Sequence, residues 1–369
     1  MPFSPTSFII GDIAAPAKTR KEAATDARLG QVLRVLAQHA TVIASGAKIA
    51  EEIGASRSTV WRMVQKLREM GVEIAGHSHT GYRLQKMPDL LLPEILAPLV
   101  RGTIFAGHIH HYFKITSTNA VAMQAASSDA ARPLAKTTPE GAVFVAEEQT
   151  AGHGRAGHPW HSEKSTGLYI SLVLRPPLAP ADVLWLSLIA GLAVHAAVLE
   201  ITGIAADLRW PNDLLAGGKK FCGILTELNA EVTRVRYAVV GIGINVNQMT
   251  FPRELESIAT SLRRESGRVQ SRVDLAGALL KSFHREYRAL VVSPQPASAS
   301  SLSTRTATII QRFEKVSSYG RGKRVRIDED EGFEGVTQGL DERGFLRVLT
   351  ASGMRTVLSG GVREVPGTV

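Results

Sequence analysis

The chain has 369 residues, 44% of them hydrophobic and 21% charged, which excludes a disordered polymer and exceeds one ordinary hydrophobic core, so two or three domains are expected. Its single cysteine, Cys222, excludes an intrachain disulfide and fits a reducing compartment. A net charge of +9 suits a nucleic-acid partner and a solvated basic surface equally well, so DNA binding has to be argued from pattern.

Residues 1–27 contain several Pro, Ala and Thr without a clear period and read as a flexible leader. No basic segment precedes their apolar patch, so no secretory signal is expected and the chain is assigned to the cytoplasm. From Arg28, Leu29, Val32, Leu33 and Leu36 follow helical spacing. AKIAEEI (47–53) stops at Gly54, and SRSTVWRMVQKLREM (56–70), with Ser56 as N-cap, stops at Gly71. VEIAGHSHTGYRL then alternates about a turn, as a short hairpin does. Ala50, Gly54 and Val60 supply the close approach, the tight turn and the packing wedge of two crossed helices. With Val60, Val64 and Leu67 turned inward, the opposite face carries Ser56, Arg57, Ser58, Trp61, Arg62 and Gln65. Those types suit phosphate and base-edge contacts, and the hairpin with His77, His79 and Arg83 would be a wing. A plain three-helix module with a solvated face is the alternative. No third ligand accompanies His77 and His79, so no metal is expected there.

KMPDLLLPEILAP (86–98), with three prolines, reads as a linker. Beyond it, expected strands at 142–148, 167–176, 208–211, 221–228 and 236–247 interleave with expected helices at 117–130, 184–199 and 273–291, as in a sheet domain with packed helices. The 184–199 run is 16 residues long and includes Ser187 and His195, which predicts a buried helix rather than a membrane span. A polar break (293–303) precedes short alternating runs that predict a small all-β barrel.

GHGRAGHPW (152–160) has the G-x-G-x-x-G spacing of a dinucleotide loop. That motif needs a helix after the third glycine, whereas Pro159 and a strand-like run follow, and no carboxylate stands about 20 residues on, as the ribose contact requires. The loop reads better as a mobile anion grip, with glycine N–H groups exposed, Arg155 as a fixed cation and Trp160 as a seal. RWPNDLLAGGKKFCGILTEL (209–228) adds Arg209, then Asn212 and Asp213 at a strand-end turn, and GIGINVN (241–247) adds alternate glycines that admit close approach.

Together with STN (117–119), EEQT (147–150), GLYISLVLRP (167–176) and SGGVREV (359–365), these motifs resemble the bifunctional biotin protein ligases, which in many bacteria also act as biotin-responsive repressors. The resemblance covers nearly all of the chain beyond residue 27. It implies an α+β multidomain fold: a winged helix-turn-helix (28–86), a linker (87–100), a central mixed β-sheet with helices of the class II synthetase/biotin ligase type (101–300) and an SH3-like β-barrel (301–369). It implies biotin and ATP as substrates with Mg2+, and transfer of biotin to a lysine of biotin carboxyl carrier protein, an acetyl-CoA carboxylase subunit. Operator DNA and a homodimer in the adenylate-bound state are the further implied partners; no membrane is. By the same resemblance Arg155 and Arg209 are catalytic cations, since two anions must meet. Ser117, Thr118, Asn119, Gln149, Gly152, His153, Gly154, Trp160 and Gly223 join them in holding biotin. Arg155, His158, Trp160, Asn212, Asp213 and Asn245 hold the adenylate; no direct metal ligand is identified, and magnesium is carried by the triphosphate.

Three positions depart from the family pattern. His153 and His158 stand where arginines are usual, and Arg209 stands where lysine is. If charge at 153 matters, activity should depend on pH where imidazoles titrate. Arg209 keeps the charge and gains a fork but cannot transfer a proton. A metal at His153, His158 and His161 is not expected, because the loop must move. The alternatives are a catalytically impaired winged-helix biotin sensor and a lipoate-type ligase.

Overall fold

The computed structural model describes residues 20–39, 43–86, 89–127, 138–291, 299–328 and 331–365. The first module comprises α1 (Arg20–Gln38), α2 (Gly46–Glu52), α3 (Arg57–Glu69) and the antiparallel hairpin β1 (Ile74–His77) and β2 (Gly81–Leu84). Helix α1 starts eight residues before the expected Arg28; the rest of the expected leader, 1–19, lies outside the described residues. Ser56 caps α3, its hydroxyl accepting the Thr59 N–H at 3.2 Å, and Gly54 turns the chain between α2 and α3 at φ +62°. Leu29, Leu33, Ile49, Val60, Val64, Leu67 and Tyr82 close a separate core. Arg68 ties the hairpin to α3 through the carbonyls of Ile74 (2.9 Å) and Gly76 (2.6 Å). This is the winged helix-turn-helix.

The expected linker 87–100 is structured over its described part. It contains α4 (Pro93–Leu99), and Leu90, Leu91 and Leu92 are all buried. Beyond it come β3 (Ile109–Tyr112), α5 (Thr118–Ser127), β4 (Val143–Ala146), β5 (Gly167–Leu174), α6 (Leu184–Thr202), β6 (Asp207–Arg209), β7 (Asp213–Ala216), β8 (Lys219–Ala230), β9 (Val235–Asn245), α7 (Leu262–Ser266) and α8 (Arg272–Val291). The strands form a seven-stranded mixed sheet in the order β3-β4-β5-β9-β8-β7-β6, parallel only between β3 and β4. Helix α5 covers one face of β4, β5 and β9 with Ala122 and Ala126. Helices α6 and α8 cover the other. Helix α6 is long and apolar enough to cross a membrane, but Trp185, Leu188, Ile189 and Val194 are buried inside the domain, as expected for the 184–199 run.

Helix α9 (Ala299–Lys315) runs across the expected boundary at 300/301, where a polar break had been expected. Its Ile309 and Phe313 join the central core. The remaining strands, β10 (Arg321–Asp328), β11 (Phe333–Leu340), β12 (Leu346–Thr350), β13 (Gly353–Val357) and β14 (Gly361–Glu364), form an antiparallel sheet in the order β13-β12-β11-β10-β14. Its two end strands do not pair, so the expected SH3-like barrel remains open. The domain packs hard on the sheet domain: Trp210 Nε1 donates to the Gly344 carbonyl at 2.9 Å, and Val325, Ile327, Leu346 and Val348 belong to the same apolar cluster as α6 and α8.

Candidate functional site

A cavity of 770 Å³ opens on the α5 side of the sheet, lined from stretches throughout the catalytic domain and from the carboxy-terminal sheet. One end is built by the turn before α5 and by the segment after β4. Gln149 Oε1 accepts the Thr118 N–H (2.8 Å) and its hydroxyl (3.1 Å), and Gln149 Nε2 donates to Ser162 Oγ (2.9 Å). Ser171 on β5 donates to Thr118 Oγ1 and Asn119 Oδ1, and Asn119 Nδ2 donates to Glu227 at 2.8 Å. These bonds pin α5 to the sheet and leave Ser117, Thr118, Asn119 and Gln149 lining the cavity.

The floor is glycine because nothing larger fits. A Cβ on Gly241 would lie 2.1 Å from Asn119 Oδ1, and one on Gly243 would lie 2.6 Å from the Trp160 indole. Gly223 and Gly243 are register partners on β8 and β9, and Trp160 lies over both. Its Nε1 is buried with no hydrogen-bond partner among the described residues, a donor waiting for an acceptor.

The glycine loop folds as a tight hairpin rather than a helix N-terminus. Gly154 N donates to His158 O (2.7 Å), Trp160 N to Gly152 O (2.8 Å), and one 3-10 turn spans Arg155–Gly157. The hairpin brings Arg155 across to RWPND, where its Nη1 donates to Asn212 Oδ1 at 3.3 Å. Burial pulls the Arg155 pKa down, and the Asp213 carboxylate opposes that. Asp213 holds two cations, Lys220 Nζ at 2.5 Å and Arg209 Nη2 at 2.7 Å. Lys220 also lies 5.6 Å from the Trp160 ring centroid.

His153, Gly154, Arg155, His158, Trp160, Asn212, Asp213, Gly223 and Asn245 all line this cavity. Gly152 does not; it packs beneath, where a Cβ would lie 2.8 Å from Ser162 Oγ. Arg209 does not line it either and stands behind Asp213. Sequence reasoning missed Lys220 as a cavity cation, although the Lys219–Lys220 pair after two glycines was in view. It also missed Asp328 and Arg363, paired at 2.7 Å, which bring the carboxy-terminal sheet to the cavity mouth. On the first module, Arg57, Ser58, Trp61 and Arg62 are exposed along α3, with Trp61 at 48%. Ser56 is occupied as the cap, and Arg57 Nη2 reaches the wing carbonyl of Ser78 at 3.2 Å.

Comparison with known proteins settles the class. Residues 122–245 match the biotin/lipoate A/B protein ligase family, 28–83 an HTH domain, and 321–362 the biotin protein ligase C terminal domain. The chain is 34% identical to the bifunctional ligase/repressor BirA of Bacillus subtilis over 334 residues, 90% of this chain and 97% of that one. It belongs to the biotin protein ligase family. The BirA of Escherichia coli is 28% identical over 304 residues, 82% of this chain and 87% of that one. Among solved structures, the biotin protein ligase from Aquifex aeolicus in complex with biotin and ATP superposes with a TM-score of 0.56 at 29% identity, covering 70% of this chain and 100% of that one. Along this ligase the HTH match precedes the ligase-family match, and the C terminal domain match follows it.

Proposed function

We propose that the 770 Å³ cavity adenylates biotin and presents the adenylate to an acceptor lysine, with Arg155 and Lys220 as the two cations that meet the reacting anions. The observation that carries this is their convergence: Arg155 comes from the glycine hairpin, Lys220 from β8, and Asn212 with Asp213 links them. A biotin carboxylate oxygen attacks the α-phosphorus of ATP and pyrophosphate leaves, so negative charge concentrates between these cations. The ureido ring takes the Ser117, Thr118 and Gln149 end, and the alkyl chain lies along the glycine floor. Arg209 acts through Asp213, offsetting its charge so that Lys220 is not fully drawn into an ion pair. Both cavity carboxylates, Asp213 and Asp328, are already ion-paired, which leaves magnesium to the triphosphate oxygens and water. In the second step a lysine amine of the biotin carrier attacks the acyl carbon, AMP departs, and the amine gives up a proton.

Biotin-dependent exchange of pyrophosphate into ATP tests the first step. Exchange with biotin is the expected result. Biotin binding without exchange would mark a sensor, and exchange with lipoate alone would mark a lipoate-type ligase. The exposed α3 face and wing suit operator DNA, and an adenylate-dependent homodimer would place two such helices on two half-sites. A gel shift with and without biotin and ATP tests that part; equal shifts in both lanes would refute ligand control.

A further inference from the structure

The segment joining the two modules is threaded between two cores. Leu90 and Leu92 belong to the core of the winged helix, whereas Leu91 between them belongs to the core of the catalytic domain. Side chains of an extended segment point alternately to opposite sides, so these three residues stitch the modules together with no slack. Asp89 fixes the stitch. Its Oδ1 accepts the N–H groups of Arg272 (2.8 Å) and Val273 (3.1 Å) at the start of α8, and its Oδ2 accepts Arg272 Nε at 2.9 Å. The Asp89 carbonyl accepts Arg272 Nη2 as well. A linker residue therefore caps a catalytic-domain helix.

Arg272 is 1% exposed and passes the contact inward. Its Nη1 donates to Glu147 Oε2 (2.7 Å) and to the Gly167 carbonyl (3.3 Å). Glu147 is fully buried, and its Oε1 accepts the Leu91 N–H at 2.9 Å and meets His111 Nε2 at 3.2 Å. Two residues later in the same segment, Gln149 holds Thr118. No residue of this chain of contacts lines the cavity until Gln149 is reached. The cations at the other end are held independently, by Asn212 and Asp213.

We infer that Asp89, Arg272 and Glu147 are positioning residues that set the biotin end of the cavity from the linker, so that the seat of the DNA-binding module and the shape of the biotin site are fixed by one set of bonds. The inference rests on reading Gln149 and Thr118 as the biotin end. Loosening the linker at Asp89 weakens biotin and spares ATP.

The test uses the full chain with Asp89→Ala and Asp89→Asn, at a side chain 39% exposed. Asn still accepts the α8 N–H groups through Oδ1 but turns an amide NH2 toward Arg272 Nε, so it restores the cap and not the ion pair. Asp89→Ala is expected to raise KM for biotin roughly fivefold, with KM for ATP and kcat within about twofold and Asp89→Asn between Asp89→Ala and wild type. In hydrogen exchange, biotin should slow the Leu91 amide in wild type and fail to do so in Asp89→Ala. Equal rises in both KM values, or a lowered Tm with an unchanged KM for biotin, would show Asp89 to be structural only and overturn the inference. Wild-type protein without biotin-dependent exchange would instead overturn the underlying assignment of the cavity.

Discussion

Lys220→Met separates the two cations bound to Asp213. The substitution keeps the stem length and removes the ammonium. It leaves the backbone bonds from Lys220 N to Ile258 O (2.9 Å) and from Thr260 N to Lys220 O (3.0 Å), which anchor the 255–260 segment. Asp213 retains Arg209 at 2.7 Å, so the half-buried carboxylate is not stranded and the fold should lose little, below about 1 kcal/mol. The reaction loses a charge-assisted contact to the developing anion, worth ~1.5–3 kcal/mol, or about one to two decades in rate. Arg209→Met removes a charge that does not line the cavity and leaves Lys220 as the sole cation at 2.5 Å from Asp213, so its effect on exchange should be several-fold smaller. Pyrophosphate exchange at saturating biotin and ATP, alongside urea melts, measures both quantities. Lys220→Met within threefold of wild type, or Arg209→Met as the more damaging change, would refute the assignment of roles.

Glu147 gives a pH signature. Burial raises its carboxyl, but the His111 hydrogen bond and the Arg272 charge outweigh this and hold it down to about 2 from 4.5. A folded pKa below the unfolded one contributes stability that is complete above about pH 4.5 and is lost as pH falls toward 2, on the order of 3 kcal/mol for this shift. Acid melts should steepen in that window, and Glu147→Gln, weaker at pH 7, should lose less on acidification; parallel curves would count against it. Gly243→Ala places a methyl 2.6 Å from the Trp160 indole and should raise Kd for biotin about tenfold, through overpacking worth ~1–3 kcal/mol. An unchanged biotin titration would mean that the indole moves freely. Arg62→Ala, at an exposed position on α3, should reduce the salt slope of operator binding by about 1 and leave exchange intact; an unchanged slope would remove Arg62 from the phosphate contacts.

What the sequence made legible was local. Alternate glycines at 241 and 243 share a face by the two-residue period of a strand, and β9 places both on the cavity side. Ser56 and Gly54 could be assigned from capping and turn chemistry alone. Lys220 escaped for a physical reason. Strict alternation counted from Gly223 puts Lys220 on the opposite face, but the β7–β8 ladder shifts register, pairing Leu214 with Cys222 and Leu215 with Lys220. That one-residue bulge reverses the alternation and brings Lys220 and Gly223 to the same side. The Asp89–Arg272–Glu147 chain joins residues 183 and 125 apart, and no spacing rule reaches so far. The segment around Leu90 to Leu92 reads as a linker from its three prolines, and the sharing of its leucines between two cores has no spacing signature.

Three recognisable parts in the chain are not three folding units. The winged helix closes a core of its own, but the carboxy-terminal sheet has none that excludes its neighbour. Val325, Ile327, Leu346, Val348, Val357 and Val362 pack into the same cluster as α6, α8 and β9, and Gly344 receives the Trp210 N–H. Severing the chain ahead of that sheet would strip apolar cover from the catalytic domain and would not release an autonomous appendage. The mouth residues Asp328 and Arg363 are thus carried on a lid that cannot be lifted without opening the core beneath it.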